Sequence, residues 1–362
     1  MGLKQHTEEL KKLLDLFSQP VFLSEAARVV WCNHAAAALG VSAGDSFPEL
    51  LRNEPVAGER SPACLTLTAG GKSYEAVLYV LEGSLLTVLN TLPVFPEHSL
   101  QLASQSLRAP LTNLFASASS LFPILEELED PSLQRQLSEM NRSFYQLLRL
   151  SGNLSDLGRL LSGETEMNPV RTDLSEYLAL LLERVAPLCR AAGTGLEWEL
   201  PPGSFYAWID RIWLERALLN LFSNALKFTP KGGRIRFSAE RSEAFVTFRI
   251  SDSGEGMDGE ALGSAFSRAT REGGTGDSRW GVGLGLPIAQ EVARRHGGAL
   301  LLQVRQDGTD AVFSVSAKKP DGEPTLVKSP AAEFDYTGGF RHELVELSDV
   351  LPPEVYDTRN IN

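Results

Sequence analysis

The hydrophobic pattern changes period three times along the chain. Leu10, Leu13, Leu14 and Phe17 return to one face of an N-terminal amphipathic helix. Short β-type runs follow at Val21–Ser24 and Val29–Cys32, then a small helix around Ala35–Leu39. Leu65–Thr68, Tyr74–Leu81 and Leu85–Leu89 read as successive antiparallel strands, closing a unit near Pro93. From Leu100 the spacing alternates between four and three. Leu107, Leu111, Leu114, Ala118, Leu121 and Leu125 form one heptad seam. Leu133, Leu137, Met140, Phe144, Leu147 and Leu154 form a second, after a break expected from Pro123 to Pro131.

Beyond Asp173 the pattern becomes mixed. Asp173 with Glu176 resembles a capping box for a helix over Leu174–Val185. A strand near Leu196–Leu200, a long helix from Asp210 to Phe228, and strands at Arg234–Ala239 and Ala244–Ile250 come next. A helix after Gly285 to about Arg295 precedes a hairpin, Ala299–Gln306 and Ala311–Ala317, turned at Asp307–Gly308. The expected order is a mixed sheet covered by helices on one face. The tail from Pro320 is rich in Pro, Asp and Glu but carries Leu344, Val345, Leu347, Val350 and Leu351, enough to dock on another domain.

Domains are therefore expected at 1–95, 96–165 and 166–319, with a tail at 320–362. The fold class is multidomain α+β: an α/β N-terminal unit, an antiparallel helical hairpin and a two-layer α/β sandwich. One hairpin buries little core, so two are expected to join as a four-helix bundle in a homodimer.

Charge removes one class of function. The formal net charge of −12 gives no general basic surface for nucleic acid. The most apolar stretch, Ala76–Phe95, is interrupted by Glu82, Gly83, Ser84 and Asn90, so no membrane insertion is expected. Charged residues crowd the first dozen positions, which argues against a secretory signal. Cys32, Cys64 and Cys189 have neither metal-ligand spacing nor a redox pairing, and fit a reducing cytoplasm.

The C-terminal half carries the chemistry. Asn220, Asn224 and Lys227 fall at i, i+4 and i+7 on one helix face. An amide oxygen suits Mg²⁺, and lysine suits phosphate. Asp252 ends a strand in Ser251–Asp252–Ser253–Gly254–Glu255–Gly256, placed to accept an adenine amine. Gly281, Gly283 and Gly285 stand directly before a helix, where free N–H groups favour phosphate. The intervening segment from Met257 to Trp280, with Gly273, Gly274 and Gly276, has the composition of a lid.

Residues 210–318, with DRIWLERALLNLFSNALKFTP, SDSGEG, GVGLGLPIAQEVARRHGG and GTDAVFSV in order, resemble the histidine-kinase-type ATPase domain. That domain is shared with type II topoisomerase ATPase regions, a class of large heat-shock chaperones and the MutL mismatch-repair proteins. The resemblance implies ATP and Mg²⁺ as ligands. Asn224 corresponds to the metal-coordinating asparagine, Lys227 to a phosphate contact and Asp252 to the adenine reader. Gly254 and Gly256 correspond to base-lining positions; Gly281, Gly283 and Gly285 to the phosphate cradle; and Phe266 to the lid aromatic. A second lid aromatic is replaced by Ala269. Asn220 occupies the position of the water-activating glutamate of hydrolytic relatives, and an amide cannot act as that base.

The segment SQSLRAPL at 104–111 resembles the phosphoacceptor hairpin of sensor histidine kinases at Leu107, Arg108, Pro110 and Leu111. Gln105 stands where the phosphoacceptor histidine belongs and Ser106 where its acid–base partner belongs. A delocalised amide is a poor nucleophile, and losing a general base alone removes a factor of about 10²–10⁴. His98 lies seven residues earlier, about 10 Å along a helix, far beyond an attack distance of about 3–3.5 Å. Residues 11–93 resemble a PAS domain, through LLDLFSQPVFLSEAARVVWCNHAAAALG. The resemblances together imply a cytoplasmic two-component sensor-kinase homologue that binds Mg·ATP without standard autophosphorylation. Its partner would be a response regulator or another kinase. An active kinase or phosphatase using a non-standard site, and a non-catalytic dimeric scaffold, are the alternatives.

Overall fold

The computed structural model describes residues 11–25, 28–46, 63–69, 72–81, 84–91, 97–127, 130–163, 165–256, 283–305, 307–318, 340–357 and 359. The lid segment with Phe266 and Ala269, and Gly281, lie outside the described residues.

The N-terminal unit contains β1 (Val21–Glu25), β2 (Arg28–Cys32), α1 (His34–Ala38), β3 (Ala63–Ala69), β4 (Lys72–Leu81) and β5 (Ser84–Thr91). Its strands run in the order β2-β1-β5-β4-β3, all antiparallel. Asn33, fully buried, fastens the preceding helical turn to this sheet. Its Oδ1 accepts from the N–H of Val21 and of Ala36, both at 2.9 Å. Its Nδ2 donates to the carbonyls of Leu14, Phe17 and Gln19. One side chain thus caps α1 and closes the chain entry, as an asparagine N-cap can.

Two long antiparallel helices follow, α2 (Glu97–Glu126) and α3 (Pro131–Leu161). The break expected from Pro123 to Pro131 is present but shorter, because α2 continues through Pro123 to Glu126 and α3 starts at Pro131. So close to the C-terminal end, a missing N–H removes one hydrogen bond and leaves few turns to disturb. Asp130 caps α3 through the Ser132 N–H at 2.8 Å, with Pro131 in the first turn.

The C-terminal unit comprises β6 (Val170–Asp173), α4 (Leu174–Ala191), β7 (Gly195–Glu199), β8 (Tyr206–Ile209), α5 (Arg211–Phe228), β9 (Arg234–Arg241) and β10 (Phe245–Asp252). It continues with α6 (Gly285–Arg295), β11 (Leu300–Arg305) and β12 (Gly308–Ser316). The chain ends in α7 (His342–Glu346) and a 3₁₀ turn at Pro353–Tyr356. Two features escaped the sequence. Helix α4 passes Pro187 and ends at Ala191, and β6 pairs with β8 in a separate small sheet. Asp210 caps α5, its Oδ1 accepting from the Ile212 and Trp213 N–H groups. Helices α4, α5 and α6 contribute Leu178, Leu182, Leu218, Phe222, Ile288 and Val292 to one core with Phe237, Phe248 and Phe313 of the sheet.

The sequence predicts separate units, but β3 pairs with β11 at Leu65–Leu301, Cys64–Leu302 and Ala63–Gln303. Among the described residues the sheets of the two units are therefore one ten-stranded sheet, in the order β2-β1-β5-β4-β3-β11-β12-β10-β9-β7. Leu301 and Val312 of the C-terminal unit pack into the N-terminal core beside Phe22, Leu67 and Leu78. The join satisfies two strand edges whose N–H and C=O groups would otherwise be open.

Candidate nucleotide site

The pocket opens between the C-terminal half of α5 and the ends of β10 and β12. It is lined by Leu221, Asn224, Ala225, Lys227, Ile250, Asp252, Gly283, Gly285, Leu302, Thr309 and Ala311. An amphipathic helix laid on the sheet supplies the apolar wall, while its last turns bring Asn224 and Lys227 to the rim.

Asp252 is the last residue of β10, 7% exposed. Its Oδ1 accepts from the Gly254 N–H at 2.9 Å and the Thr309 N–H at 3.2 Å. Both bonds fall on one oxygen, which leaves Oδ2 for a ligand donor. Burial pushes the carboxyl above its ordinary range, against the pull of the two N–H groups and Arg305. Such a lone acceptor in an apolar pocket suits an exocyclic amine.

Glycine is required by close approach at two positions here. A Cβ on Gly308 would lie 1.8 Å from the Asp252 carbonyl oxygen, and one on Gly254 2.6 Å from that of Phe228. These contacts let β12 and the end of α5 crowd around Asp252. Gly256 and Gly283 adopt positive φ, 75° and 72°. Gly254 and Gly256, expected to line the base, follow Asp252 in the chain but are not among the residues that line the pocket, whereas Gly283 and Gly285 lie in its wall.

Asn224 fits a metal-bound phosphate. Its Nδ2 is buried without a hydrogen-bond partner among the described residues, in a wall shared with Lys227 and Gly283. A buried amide left unsatisfied by the protein is costly, and a ligand that engages the amide recovers that cost. Asn224 Nδ2 and Lys227 would donate to phosphate here, and the Asn224 amide oxygen is the atom that would meet Mg²⁺.

Asn220, expected on the same rim, lies deeper. It is fully buried, its Nδ2 donates to the Arg216 carbonyl at 3.0 Å, and its Oδ1 accepts from Arg149 Nη2 at 3.3 Å. A Cβ on Gly285 would lie 2.6 Å from that same Oδ1. Asn220 therefore bonds to hairpin helix α3 and packs closely against Gly285 at the start of α6. Arg149 and Thr309 are pocket neighbours that the sequence did not single out. Thr309 sits inside the quoted GTDAVFSV stretch, but Arg149 is one polar position in a heptad helix and carries no local signal.

Arg149 belongs to a second cavity of about 850 Å³ between α3 and α5, which shares Asn224, Lys227, Gly283 and Gly285 with the pocket. Gln105 and Ser106 lie on the other hairpin helix, both exposed. Ser106 Oγ donates to the Leu102 carbonyl at 2.8 Å, an ordinary bond back along a helix. The neighbouring Ser104 is buried against Ser151 of α3.

His296 closes α6. Its Nε2 accepts from the Asp210 N–H at 3.0 Å, and Nδ1 lies 2.9 Å from the Val292 carbonyl. Those partners select the neutral tautomer with the proton on Nδ1. Among the described residues no group of three or more His, Cys, Asp and Glu could hold a metal, and no helix is long and apolar enough to cross a membrane.

The model of the histidine kinase-, DNA gyrase B- and HSP90-like ATPase family matches residues 209–320. The chain is 28% identical over 284 residues to the alginate biosynthesis sensor protein KinB of Pseudomonas aeruginosa, covering 76% of this chain and 46% of that protein. It is 31% identical over 206 residues to the signal transduction histidine-protein kinase/phosphatase MprB of Mycobacterium leprae, covering 56% of this chain and 38% of that one. Full-length ShkA, crystallised with AMPPNP, shares the fold with TM-score 0.50 at 24% identity, over 64% of this chain and 48% of that chain. The chain spans 46%, 24% and 27% of the lengths of KinB, a KdpD sensor protein of Clostridium acetobutylicum and DivJ of Caulobacter vibrioides. Residues 209–320 are a histidine-kinase-family ATPase domain, homologous to those of many sensor histidine kinases.

Proposed function

We propose that this chain is a dimeric signalling regulator, built like a sensor histidine kinase, that uses Mg·ATP as a conformational ligand and does not phosphorylate itself. The observation that carries this reading is the contrast between its two ends. The nucleotide pocket keeps an amine acceptor, an unsatisfied amide and a lysine at Asp252, Asn224 and Lys227. The hairpin offers only an amide at Gln105 and a back-bonded hydroxyl at Ser106 where a phosphoryl acceptor and its base belong.

The unit over residues 11–93 is read as a PAS-like sensor. Self-association is read from α2. Leu107, Leu114 and Leu121, seven residues apart, are 42%, 57% and 53% exposed, while Leu111 and Phe122 turn inward. A leucine stripe of that period fits a second hairpin. The output partner is a response regulator or another kinase of a two-component system, reached through the hairpin.

Calorimetry with Mg·ATP tests the reading. Saturable binding is expected, abolished or weakened at least tenfold by Asp252→Ala and by Asn224→Ala. Absence of binding to the folded wild-type chain would overturn it.

A further inference from the structure

The C-terminal segment 340–357 is wedged between hairpin helix α3 and nucleotide helix α5. Leu344, Val345, Leu347, Leu351 and Tyr356 are all buried there. The backbone is held as well: Asn141 Nδ2 donates to the Tyr356 carbonyl at 3.0 Å, and Arg142 donates to the carbonyls of Ser348 and Asp349 at 3.2 and 3.1 Å. Tyr145 packs on Phe340 and Tyr356, with centroids 5.2 and 4.9 Å away. Apolar burial and main-chain bonds thus dock the segment, leaving its charges to do something else.

Two of those charges, on Glu346 and Asp349, meet one guanidinium. Arg149 Nη1 meets Asp349 Oδ2 at 2.6 Å, and its Nε lies 3.6 Å from Glu346 Oε2. Glu346, itself fully buried, also pairs with Arg216 Nη1 at 3.3 Å, and Arg216 pairs with Asp156 of α3. The third side of Arg149 faces Asn220 of α5. Arg149 and Asp349 stand in the wall of the 850 Å³ cavity that shares Asn224, Lys227 and Gly283 with the nucleotide pocket. A triphosphate with its base at Asp252 would reach this cavity past the shared residues Asn224, Lys227 and Gly283.

We propose that segment 340–357 is an autoinhibitory strap, whose carboxylates Asp349 and Glu346 hold Arg149 away from the terminal phosphate of ATP. The inference rests on the Mg·ATP reading above and deepens it by naming how the bound nucleotide is sensed. A γ-phosphate is a bidentate acceptor of the kind an arginine fork prefers. It competes with Asp349 for Arg149, and a diphosphate does not. Linkage makes the effect reciprocal: the docked strap weakens ATP binding, and ATP loosens the strap. Release of the strap removes one of the links between α3 and α5 and leaves the direct Arg149–Asn220 and Arg216–Asp156 pairs, so the hairpin becomes the readout.

The test uses the full chain and calorimetric Kd values for Mg·ATP and Mg·ADP, with and without Asp349→Asn. Asp349 is 43% exposed, so the amide is tolerated sterically. Expected is at least about fivefold tighter Mg·ATP binding, the lower end of ordinary coupling, with Mg·ADP affinity within twofold of wild type. In the wild-type chain, amide hydrogen exchange in 340–357 should speed up with Mg·ATP and not with Mg·ADP. This second measurement decides the matter if the variant folds poorly. An unchanged ATP-to-ADP ratio, or equal exchange with both nucleotides, overturns the strap while leaving nucleotide binding intact. Binding of neither nucleotide overturns both readings together.

Discussion

Cys64 of β3 and Leu302 of β11 are register partners, and Leu302 forms part of the nucleotide pocket wall. The N-terminal unit therefore touches the nucleotide site through one strand pair, without passing through the hairpin. Cys64 is fully buried, with its thiol 3.7 Å from Glu75 Oε1, and burial together with that carboxylate pushes the thiol well above its ordinary range.

Cys64→Asp places a second carboxylate against Glu75 in the seam. A cost on the order of 3 kcal/mol is expected from burying like charges, together with weaker Mg·ATP binding although residue 64 does not line the pocket. Urea unfolding and calorimetry on the same preparation check both. Destabilisation with unaltered nucleotide affinity would show that the seam is structural only.

Asp252 gives the nucleotide site a pH signature. Because burial raises its pKa, the carboxylate takes up a proton at higher pH than an ordinary aspartate. An amine donor needs the ionised form, so affinity should fall as pH drops through the window just above the usual aspartate value of about 4. Stability runs the opposite way, since a raised carboxyl pKa favours the folded state at low pH and loses that contribution as pH rises. Nucleotide titrations across pH, repeated with Asp252→Asn, isolate the effect. The variant should bind weakly and lack the component due to residue 252.

His296 predicts an acid-sensitive fold. Burial lowers its pKa, and its Nε2 is needed as the acceptor for the Asp210 N–H. A depressed histidine pKa stabilises the native state above the unfolded value of about 6.5, and the contribution fades as pH falls toward the lower folded value. Urea midpoints should decline over that interval in the wild type. In His296→Gln, which carries no titrating ring, that part of the decline should vanish; a parallel decline would assign it to other groups.

The leucine stripe on α2 sets the oligomeric prediction. Leu114→Glu with Leu121→Glu should convert a dimer into a folded monomer, since both side chains are more than half exposed within one chain. Sedimentation velocity with circular dichroism checks mass and fold together. A wild-type chain already monomeric at micromolar concentration contradicts the dimer.

Local signals carried much of this architecture. The Asp210 cap, the apolar face of α5 and the glycines before α6 are written within a few residues of where they act. The strands β6 and β8 are four residues each, too short for alternation to stand out. The seam between β3 and β11 joins residues more than 200 positions apart, and nothing local to Cys64 or Leu302 announces it. The tail was legible as apolar enough to dock, but its target was not. Arg149 recognises Glu346 and Asp349 through charge and shape assembled only by the fold.

The most direct measurement incubates the purified chain with Mg²⁺ and γ-labelled ATP at saturating concentration and quantifies label retained on the protein. No acid-labile phosphoryl group is expected on the wild-type chain under conditions where calorimetry reports the pocket filled. Incorporation approaching one phosphoryl group per dimer or per chain would contradict it, and would mean that this hairpin has an acceptor other than Gln105.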